Sequence, residues 1–201
     1  MNWLAHVVLS PPDPAFRLGN LLADAVRRPE RHPDLPDAFA RGVRRHRAID
    51  AFTERHPAVR ESRARIVSLR PRYAGIAVDF LYDHLLATSW ERRCHTPFDA
   101  FCDTFLADAR ACALPLPDAA RGMLDWICAT DVLRSYRREE GIAEAMGRFA
   151  GRMERRLGVA VPLERALDDL RADRAGFDAD FDAFWPELAA HVGEEFRADG
   201  A

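Results

Sequence analysis

Histidine and aspartate side chains recur inside apolar stretches of this chain, at positions where burial alone favours leucine or alanine. His6 lies in the segment WLAHVVL, and His46 and Asp50 are four residues apart in HRAID. A spacing of four places two side chains on one face of a helix. Imidazole and carboxylate groups together are typical ligands of Mn, Fe, Zn or Mg, so these residues point to metal chemistry.

Two further pairs show the same spacing. Asn20 and Asp24 are four apart in GNLLAD, and Asp79 and Asp83 are four apart in a long apolar segment, with His84 adjacent to Asp83. Neighbouring residues on a helix differ by about 100° around its axis, so the His84 side chain can address the same site as Asp83. We therefore treat these residues as a pool of candidate ligands.

Each candidate also has a structural interpretation. A lone histidine on an apolar face is more often a hydrogen-bonded core residue than a ligand, and His46 can pair with Asp50 inside its own helix. Buried carboxylates, however, are costly unless they are paired or bound to a cation. Several aspartates converging with three histidines therefore favour a divalent metal, with arginine as the rival partner.

The elements that would position these residues are helices. Prolines and helical periodicity divide the chain, and no sustained alternation of β-branched residues is present, so we expect an all-α fold in a single domain over residues 1–201. The pattern over residues 72–92 is apolar on more than one side and predicts the central helix. Helices are predicted at about 2–9, 14–28, 36–55, 57 to just before 71, 72–92, 118–137, 162–175 and 177–196. A further helix begins at residue 97. After residue 137 the helical pattern continues to residue 156 and is interrupted at Gly141.

The charge distribution suggests a docking face. Net charge is −3, but residues 41–72 contain ten arginines and three acidic residues, a balance that would attract an acidic partner. We expect exposed arginines there, such as Arg44, Arg63 and Arg65, to contact that partner. The segment from Val161 onward is acidic, either as a counterweight to the basic stretch or, as we expect, as a solvated face.

Several classes of protein find no support in the sequence. The four cysteines show no CxxC or zinc-knuckle spacing and favour a reducing cytoplasm, while no signal peptide or membrane-spanning run is visible. GxGxxG, P-loop, GxSxG and HExxH motifs are absent, which argues against dinucleotide, nucleoside triphosphate and serine-hydrolase chemistry. We expect a cytoplasmic protein with no nucleic-acid or membrane partner, and the oligomeric state is left open.

Several segments together resemble the acyl carrier protein phosphodiesterases, a family regarded as a divergent branch of the HD phosphohydrolases. The resemblance is strongest over residues 1–91 and weaker beyond, where LRSYR at 133–137 contributes. The segments that carry it are MNWLAH at 1–6, GNLLADAVR at 19–27, GVRRHRAIDAFTERHPAVR at 42–60 and GIAVDFLYDHLLATSWE at 75–91.

The resemblance implies an all-helical hydrolase that uses manganese or magnesium. Its reaction would be hydrolysis of the phosphodiester that joins 4'-phosphopantetheine to a serine of holo acyl carrier protein, so the partner would be an acidic carrier protein. This chain lacks an adjacent His-Asp pair and instead has Asp83-His84 in reversed order. By position, the implied metal-site pool is His6, Asp24, His46, Asp79, Asp83 and His84.

Further roles follow from that assignment. Asp50 would orient His46 from outside the metal's ligand shell, and the catalytic residues would be drawn from Asp24, His46, Asp79 and Asp50, one carboxylate acting as general base. Asn20, Arg47 and Arg60 are predicted to bind substrate, the arginines because a planar guanidinium suits a phosphate.

Two other functions stay open from the sequence. One is an HD-like phosphohydrolase that acts on a nucleotide or another small phosphoester. The other is a non-catalytic helical interaction module, whose polar core residues form an arginine-carboxylate network. Metal content distinguishes the second alternative from both enzymes, whereas substrate choice distinguishes the two enzymes from each other.

Overall fold

The structure, a computed structural model, describes residues 3–199. Within that range the chain forms eleven α-helices and no β-strand, which confirms the predicted all-α class. No helix in it is long and apolar enough to span a bilayer. The helices are α1 (Trp3–Val8), α2 (Pro14–Leu21), α3 (Asp37–Arg55), α4 (Pro57–Arg65), α5 (Pro71–Thr88), α6 (Phe98–Ala111), α7 (Asp118–Thr130), α8 (Val132–Ser135), α9 (Glu139–Leu157), α10 (Ala166–Ala172) and α11 (Arg174–Asp199).

Helix α5 lies at the centre of the fold, as its all-round apolar pattern predicts. It contacts α1, α4, α9, α10 and α11. Phe80 of α5 meets Phe149 of α9 edge-on, and Tyr82 packs against Phe181 and Phe184 of α11. Eleven of its eighteen residues are buried, Asp83 and His84 among them. The polar residues of α5 therefore sit in the core and must find partners there.

Proline and local capping define several helix starts. Pro14, Pro57 and Pro71 each occupy the first turn of a helix, where the missing proline N–H costs no hydrogen bond. Asp13 caps α2 by accepting a hydrogen bond from the Phe16 N–H at 3.0 Å. These starts agree with the sequence prediction because their signals are local.

Several predicted helices are shorter than expected, and two of the differences are large. α2 ends at Leu21 instead of continuing to residue 28, because Leu22 leaves helical backbone angles and turns follow. The segment 118–137 is broken at Asp131, whose φ of 47° lies in the left-handed region and separates α7 from α8. The first break matters for function, since Asp24 no longer shares a helical face with Asn20.

Helices α2 and α3 cross in close contact because glycines lie where they meet. A Cβ atom at Gly19 would lie 2.1 Å from the Phe39 carbonyl oxygen, and one at Gly42 would lie 2.1 Å from the Phe16 carbonyl oxygen. Any larger residue would force the two backbones apart. This close crossing brings the backbone around Asn20 within hydrogen-bonding distance of α3.

The basic stretch 41–72 is partly neutralised by the chain itself. Arg45 is buried and donates to the Val192 carbonyl at 2.8 Å, and Arg63 forms a bidentate pair with Glu54. Arg65 pairs with Asp173 and Asp180 of the acidic segment. The expectation that Arg63 and Arg65 form a free docking face is therefore wrong, and part of the acidic segment is a counterweight to the basic stretch.

Candidate metal centre

Three side chains from two helices converge in one cluster, which we call the His–Asp cluster: His6 of α1 with His46 and Asp50 of α3. One ligand atom from each lies within 4.8 Å of the others. His6 Nε2 is 3.4 Å from Asp50 Oδ1, and His46 Nε2 is 3.1 Å from Asp50 Oδ2. The two imidazole rings stack, with centroids 4.0 Å apart and planes inclined by 17°. His46 and Asp50, the predicted i,i+4 pair of α3, thus lie against His6, which is 40 or more positions away in sequence.

Asn20 fixes the orientation of both histidines. Its Nδ2 donates to the His6 carbonyl at 2.8 Å and to Ser10 Oγ at 2.9 Å, so its Oδ1 faces His6 Nδ1 at 2.9 Å. Its backbone carbonyl lies 2.7 Å from His46 Nδ1. Because both of these oxygens can only accept, each Nδ1 carries the proton. Each Nε2 therefore presents a lone pair to the cluster when the imidazole is neutral.

This arrangement leaves three electron-rich groups facing one another. Each Nε2 lone pair faces an Asp50 carboxylate oxygen, at 3.4 Å for His6 and 3.1 Å for His46, and the paired groups repel unless a proton or a cation lies between them. Neighbouring ligands bound at ~2.1 Å in a tetrahedral or octahedral shell lie roughly 3.0–3.4 Å apart. The donor types and their spacing therefore fit a divalent metal ion.

The protonation states agree with metal ligation. Burial, together with the neighbouring charge of His46, lowers the pKa of His6 to about 4, so this imidazole is neutral near pH 7. Burial opposes ionisation of Asp50, but its interactions with the His46 and His6 side chains outweigh burial and hold the pKa of Asp50 well below its usual range. Metals bind neutral imidazole and ionised carboxylate, and His6 and Asp50 favour these forms.

The cluster opens to solvent on its carboxylate side. The Asp50 side chain is 47% exposed, whereas the side chains of His6 and His46 are 1% and 10% exposed. The histidines are held rigidly from behind by buried groups, while Asp50 faces water. An ion and a substrate can therefore approach from one direction without any rearrangement of the core.

Asp79 lies close enough to interact electrostatically with this cluster. Burial raises the pKa of Asp79 above the ordinary carboxyl value, and the charge of Asp50 raises it further. The nearby Arg63 guanidinium acts in the opposite direction. Asp79, predicted as a metal ligand, lies outside the three-residue group, and its role as a ligand stays a prediction.

The other two α5 candidates bond to backbone atoms. Asp83 accepts hydrogen bonds from the Leu4 N–H at 2.7 Å and the Ala5 N–H at 3.2 Å, so it anchors the first turn of α1. His84 Nδ1 lies 2.8 Å from the Tyr136 carbonyl, which links α5 to the end of α8. Neither side chain belongs to the His–Asp cluster in the described chain.

The remaining sequence candidates are placed as follows. Asp24 is exposed on the turn after α2 and does not belong to the cluster. Arg47 is exposed on α3 next to His46 and donates to the Arg27 carbonyl, and Arg60 is exposed on α4. Asn20 is fully buried and its amide already holds His6, so the structure gives it a positioning role instead of the predicted contact with substrate.

Two features of the site escaped sequence analysis. Sequence analysis placed Asp50 outside the ligand shell as a partner of His46, whereas its carboxylate lies inside the cluster, 3.4 Å from His6 Nε2 and 3.1 Å from His46 Nε2. This second contact depends on where α1 docks, which the spacing within α3 does not show. Ser10 was not singled out, although its hydroxyl donates to the His6 carbonyl at 2.8 Å and accepts from Asn20. No local signal marks Ser10, because its role exists only after α1 and α2 pack together.

Comparisons with known proteins agree with the resemblance seen in the sequence. The family model described as acyl carrier protein phosphodiesterase matches residues 1–188. A protein of Salmonella agona, named acyl carrier protein phosphodiesterase, is 30% identical over 96% of this chain and 97% of its own length. A protein of the same name from Escherichia coli O157:H7 is 31% identical over 96% of this chain and 97% of its own.

A third relative with that name, from Photorhabdus laumondii, is 30% identical over 94% of this chain and 93% of its own length. No solved structure gives a significant match to the chain. The family model and the relatives each cover nearly the whole chain, and the residues matched by the family model include all three of the His–Asp cluster. The chain belongs to the acyl carrier protein phosphodiesterase family.

Proposed function

We propose that this protein hydrolyses the phosphodiester between 4'-phosphopantetheine and a serine of holo acyl carrier protein, using manganese or magnesium. The observation that carries the proposal is the convergence of two imidazole lone pairs and one ionised carboxylate at 3.1–3.4 Å. The substrate class comes from the names of the family and of the relatives.

The His–Asp cluster would hold the metal through His6 Nε2, His46 Nε2 and the Asp50 carboxylate. A bound divalent cation would neutralise phosphate oxygens and lower the pKa of a coordinated water from 15.7 towards ~7. The role of Asn20 is to keep both Nδ1 protons away from the site, so that both Nε2 atoms stay available. Ser10 supports Asn20 from the opposite side.

Asp79 is the residue we propose as general base. Its raised pKa makes it a better proton acceptor than an ordinary surface carboxylate, and Asp50 lies near enough to influence it. In this role the Asp79 carboxylate takes the proton of the attacking water. Asp24, another predicted catalytic residue, stays a prediction because it lies on the exposed turn after α2.

Substrate phosphate would be held by exposed arginines. Arg47 follows His46 on α3, and one of its terminal nitrogens is bound to the Arg27 carbonyl, which orients the guanidinium. Its other N–H groups are donors suited to a phosphate oxygen. Arg60 on α4 is exposed and stays a predicted phosphate contact.

A phosphohydrolase acting on a small phosphoester would use the same cluster, so the substrate must be tested directly. The experiment is incubation with holo carrier protein and Mn²⁺, followed by intact mass of the carrier protein. We expect loss of the phosphopantetheine mass, dependence on metal, and no loss with a His46→Ala variant. An unchanged carrier protein, together with hydrolysis of small phosphoesters, would support the alternative instead.

A further inference from the structure

A second charged feature lies on the surface between α7 and α9, which we call the α9 groove. It has a volume of about 590 Å³. A smaller pocket of about 130 Å³ adjoins it and shares Trp126, Glu144 and Arg148. The main lining residues of the groove are Trp126, Gly147, Arg148, Gly151, Arg152 and Arg155.

The floor of the groove is open. Gly147 and Gly151 lie one helical turn apart on α9, and a Cβ atom at Gly147 would meet no other atom within 4 Å. Trp126 forms one wall, with the Arg148 guanidinium 5.3 Å from its ring centroid. The groove therefore combines a flat backbone surface, one aromatic ring and a row of arginines spaced along α9.

Positive charge in the groove exceeds negative charge. Arg148 pairs with Glu144 at 2.8 Å, which uses the groove's one lining carboxylate. Among the described residues, no carboxylate lies within 4 Å of the Arg152 or Arg155 guanidinium. Burial, together with the charges of Arg155 and Arg148, lowers the pKa of Arg152. Mutually repelling cations without acidic partners are a binding surface for carboxylates or phosphates from another molecule.

The groove is connected to the His–Asp cluster through α1. Trp126 meets Trp3 edge-on, with ring centroids 5.6 Å apart. Trp3 precedes His6 by three residues on α1, a rise of about 4.5 Å along the helix axis. A partner seated on the groove would therefore contact Trp126, which packs against the helix that carries the candidate metal ligand His6.

We propose that the α9 groove is a docking surface for the acidic carrier protein, whose carboxylates pair with Arg152 and Arg155. This inference rests on the proposed function for the partner's identity. Two unpaired arginines on one helix turn suit a compact patch of carboxylates, whereas a nucleic acid needs a long basic track along its backbone. Arg63 and Arg65 are paired with carboxylates of the chain, whereas Arg152 and Arg155 in the α9 groove present their guanidinium groups to a partner.

The test compares single charge reversals on one helix. Arg152→Glu and Arg155→Glu change groove residues, and Arg156→Glu makes the same charge change at an exposed residue of α9 that does not line the groove. Binding of holo carrier protein is measured with the metal chelated, and turnover is measured with Mn²⁺ on carrier protein and on bis(p-nitrophenyl) phosphate. Both groove positions are exposed, and either variant alone keeps the test valid if the other folds poorly.

We expect each groove variant to weaken carrier-protein binding and raise its KM about tenfold, with little change for Arg156→Glu. Turnover of the small diester should stay at the wild-type value in all three. Equal behaviour of Arg155→Glu and Arg156→Glu, while wild type still hydrolyses carrier protein, would overturn the docking surface and leave the proposed function intact. Failure of wild type to hydrolyse carrier protein would overturn the proposed function itself, and with it the partner named here.

A nucleic acid as the true occupant is a separate outcome. Binding of a short single-stranded oligonucleotide is measured for the same variants. Loss of oligonucleotide binding in both groove variants, with carrier-protein binding unchanged, would overturn the proposal in favour of a nucleic acid as the partner.

Discussion

The core of this protein holds two groups of polar side chains that look alike in sequence and differ in what they bond. In the His–Asp cluster, backbone and amide groups hold the Nδ1 atoms, and both Nε2 atoms are left facing Asp50. On α5, the Asp83 carboxylate is taken by two N–H groups of α1, and His84 bonds to the Tyr136 carbonyl. The first group offers ligand atoms to an ion, whereas the second joins helices.

The comparison shows why burial alone does not identify a functional residue. His6, Asp83 and His84 are all almost completely buried, and burial shifts the pKa of each towards its neutral form. For Asp83 it raises the pKa to about 7, although the two N–H groups act in the opposite direction. What separates the groups is whether lone pairs converge on one point, a property of tertiary structure.

The largest expected effect concerns the cluster itself. Asp50→Ala should reduce phosphodiester turnover to the background rate, because the remaining imidazoles supply no negative charge to hold a divalent cation. The unfolding midpoint should change little, since Asp50 is half-exposed. The measurement is turnover of carrier protein with Mn²⁺, alongside thermal unfolding.

Glu54→Ala is the matched control for that variant, because it removes an exposed carboxylate one turn further along α3. We expect it to keep turnover near the wild-type value. Retention of turnover in Asp50→Ala would place the metal outside the His–Asp cluster and remove the distinction drawn between the two groups.

A smaller effect is expected at Asn20, which supports the ligands without being one. Asn20→Ala removes the acceptor of the His6 Nδ1 proton but keeps the backbone carbonyl that bonds His46. Loss of such an outer-shell partner typically costs 10–100-fold in metal affinity. Calorimetric titration with Mn²⁺ checks this value. Wild-type affinity in a folded Asn20→Ala variant would contradict the positioning role.

His84→Leu should separate stability from metal binding. The variant removes the hydrogen bond from His84 Nδ1 to the Tyr136 carbonyl, which should lower the free energy of unfolding by about 1 kcal/mol. The Mn²⁺ dissociation constant of the folded protein should stay unchanged. Denaturant unfolding and metal titration on one preparation check both values. A folded His84→Leu protein that has lost Mn²⁺ would return His84 to the ligand pool.

The smallest effect is on pH dependence of the metal-free protein. The pKa of His6 falls from 6.5 to about 4 on folding, so between these values the unfolded chain binds more protons than the native state. Stability should therefore fall as pH drops from 6.5 to 4, by on the order of 1 kcal/mol per unit at most. Urea unfolding across this range should show a shallower slope for His6→Gln. Equal slopes would mean that His6 is not buried as a neutral imidazole.

Sequence reasoning succeeded where the signal was local. The helix starts at Pro14, Pro57 and Pro71 follow from proline chemistry, and His46 with Asp50 follows from helical spacing. It failed where the outcome depended on contacts between distant segments. Asp83 and His84 have the residue types of ligands, but α1 and Tyr136 use their hydrogen-bonding groups.

The charge analysis failed at Arg63 and Arg65 for the same reason. Ten arginines in residues 41–72 suggested an open basic face, but Glu54, Asp173 and Asp180 pair with two of them. Two of these partners lie more than 100 positions away in sequence. Counting charges along the chain cannot show such pairings. For the same reason, the sequence alone does not show that Arg152 and Arg155 of α9 lack a carboxylate partner among the described residues.

The most direct test of the central claim is a crystal structure of the protein with Mn²⁺, with anomalous data at the manganese edge. We predict one strong peak at ~2.0–2.3 Å from His6 Nε2, His46 Nε2 and an Asp50 oxygen. Asp79 or Asp24 as an additional ligand would be compatible with this result. A peak bound by Asp83 or His84, with no metal at the His–Asp cluster, would contradict the account.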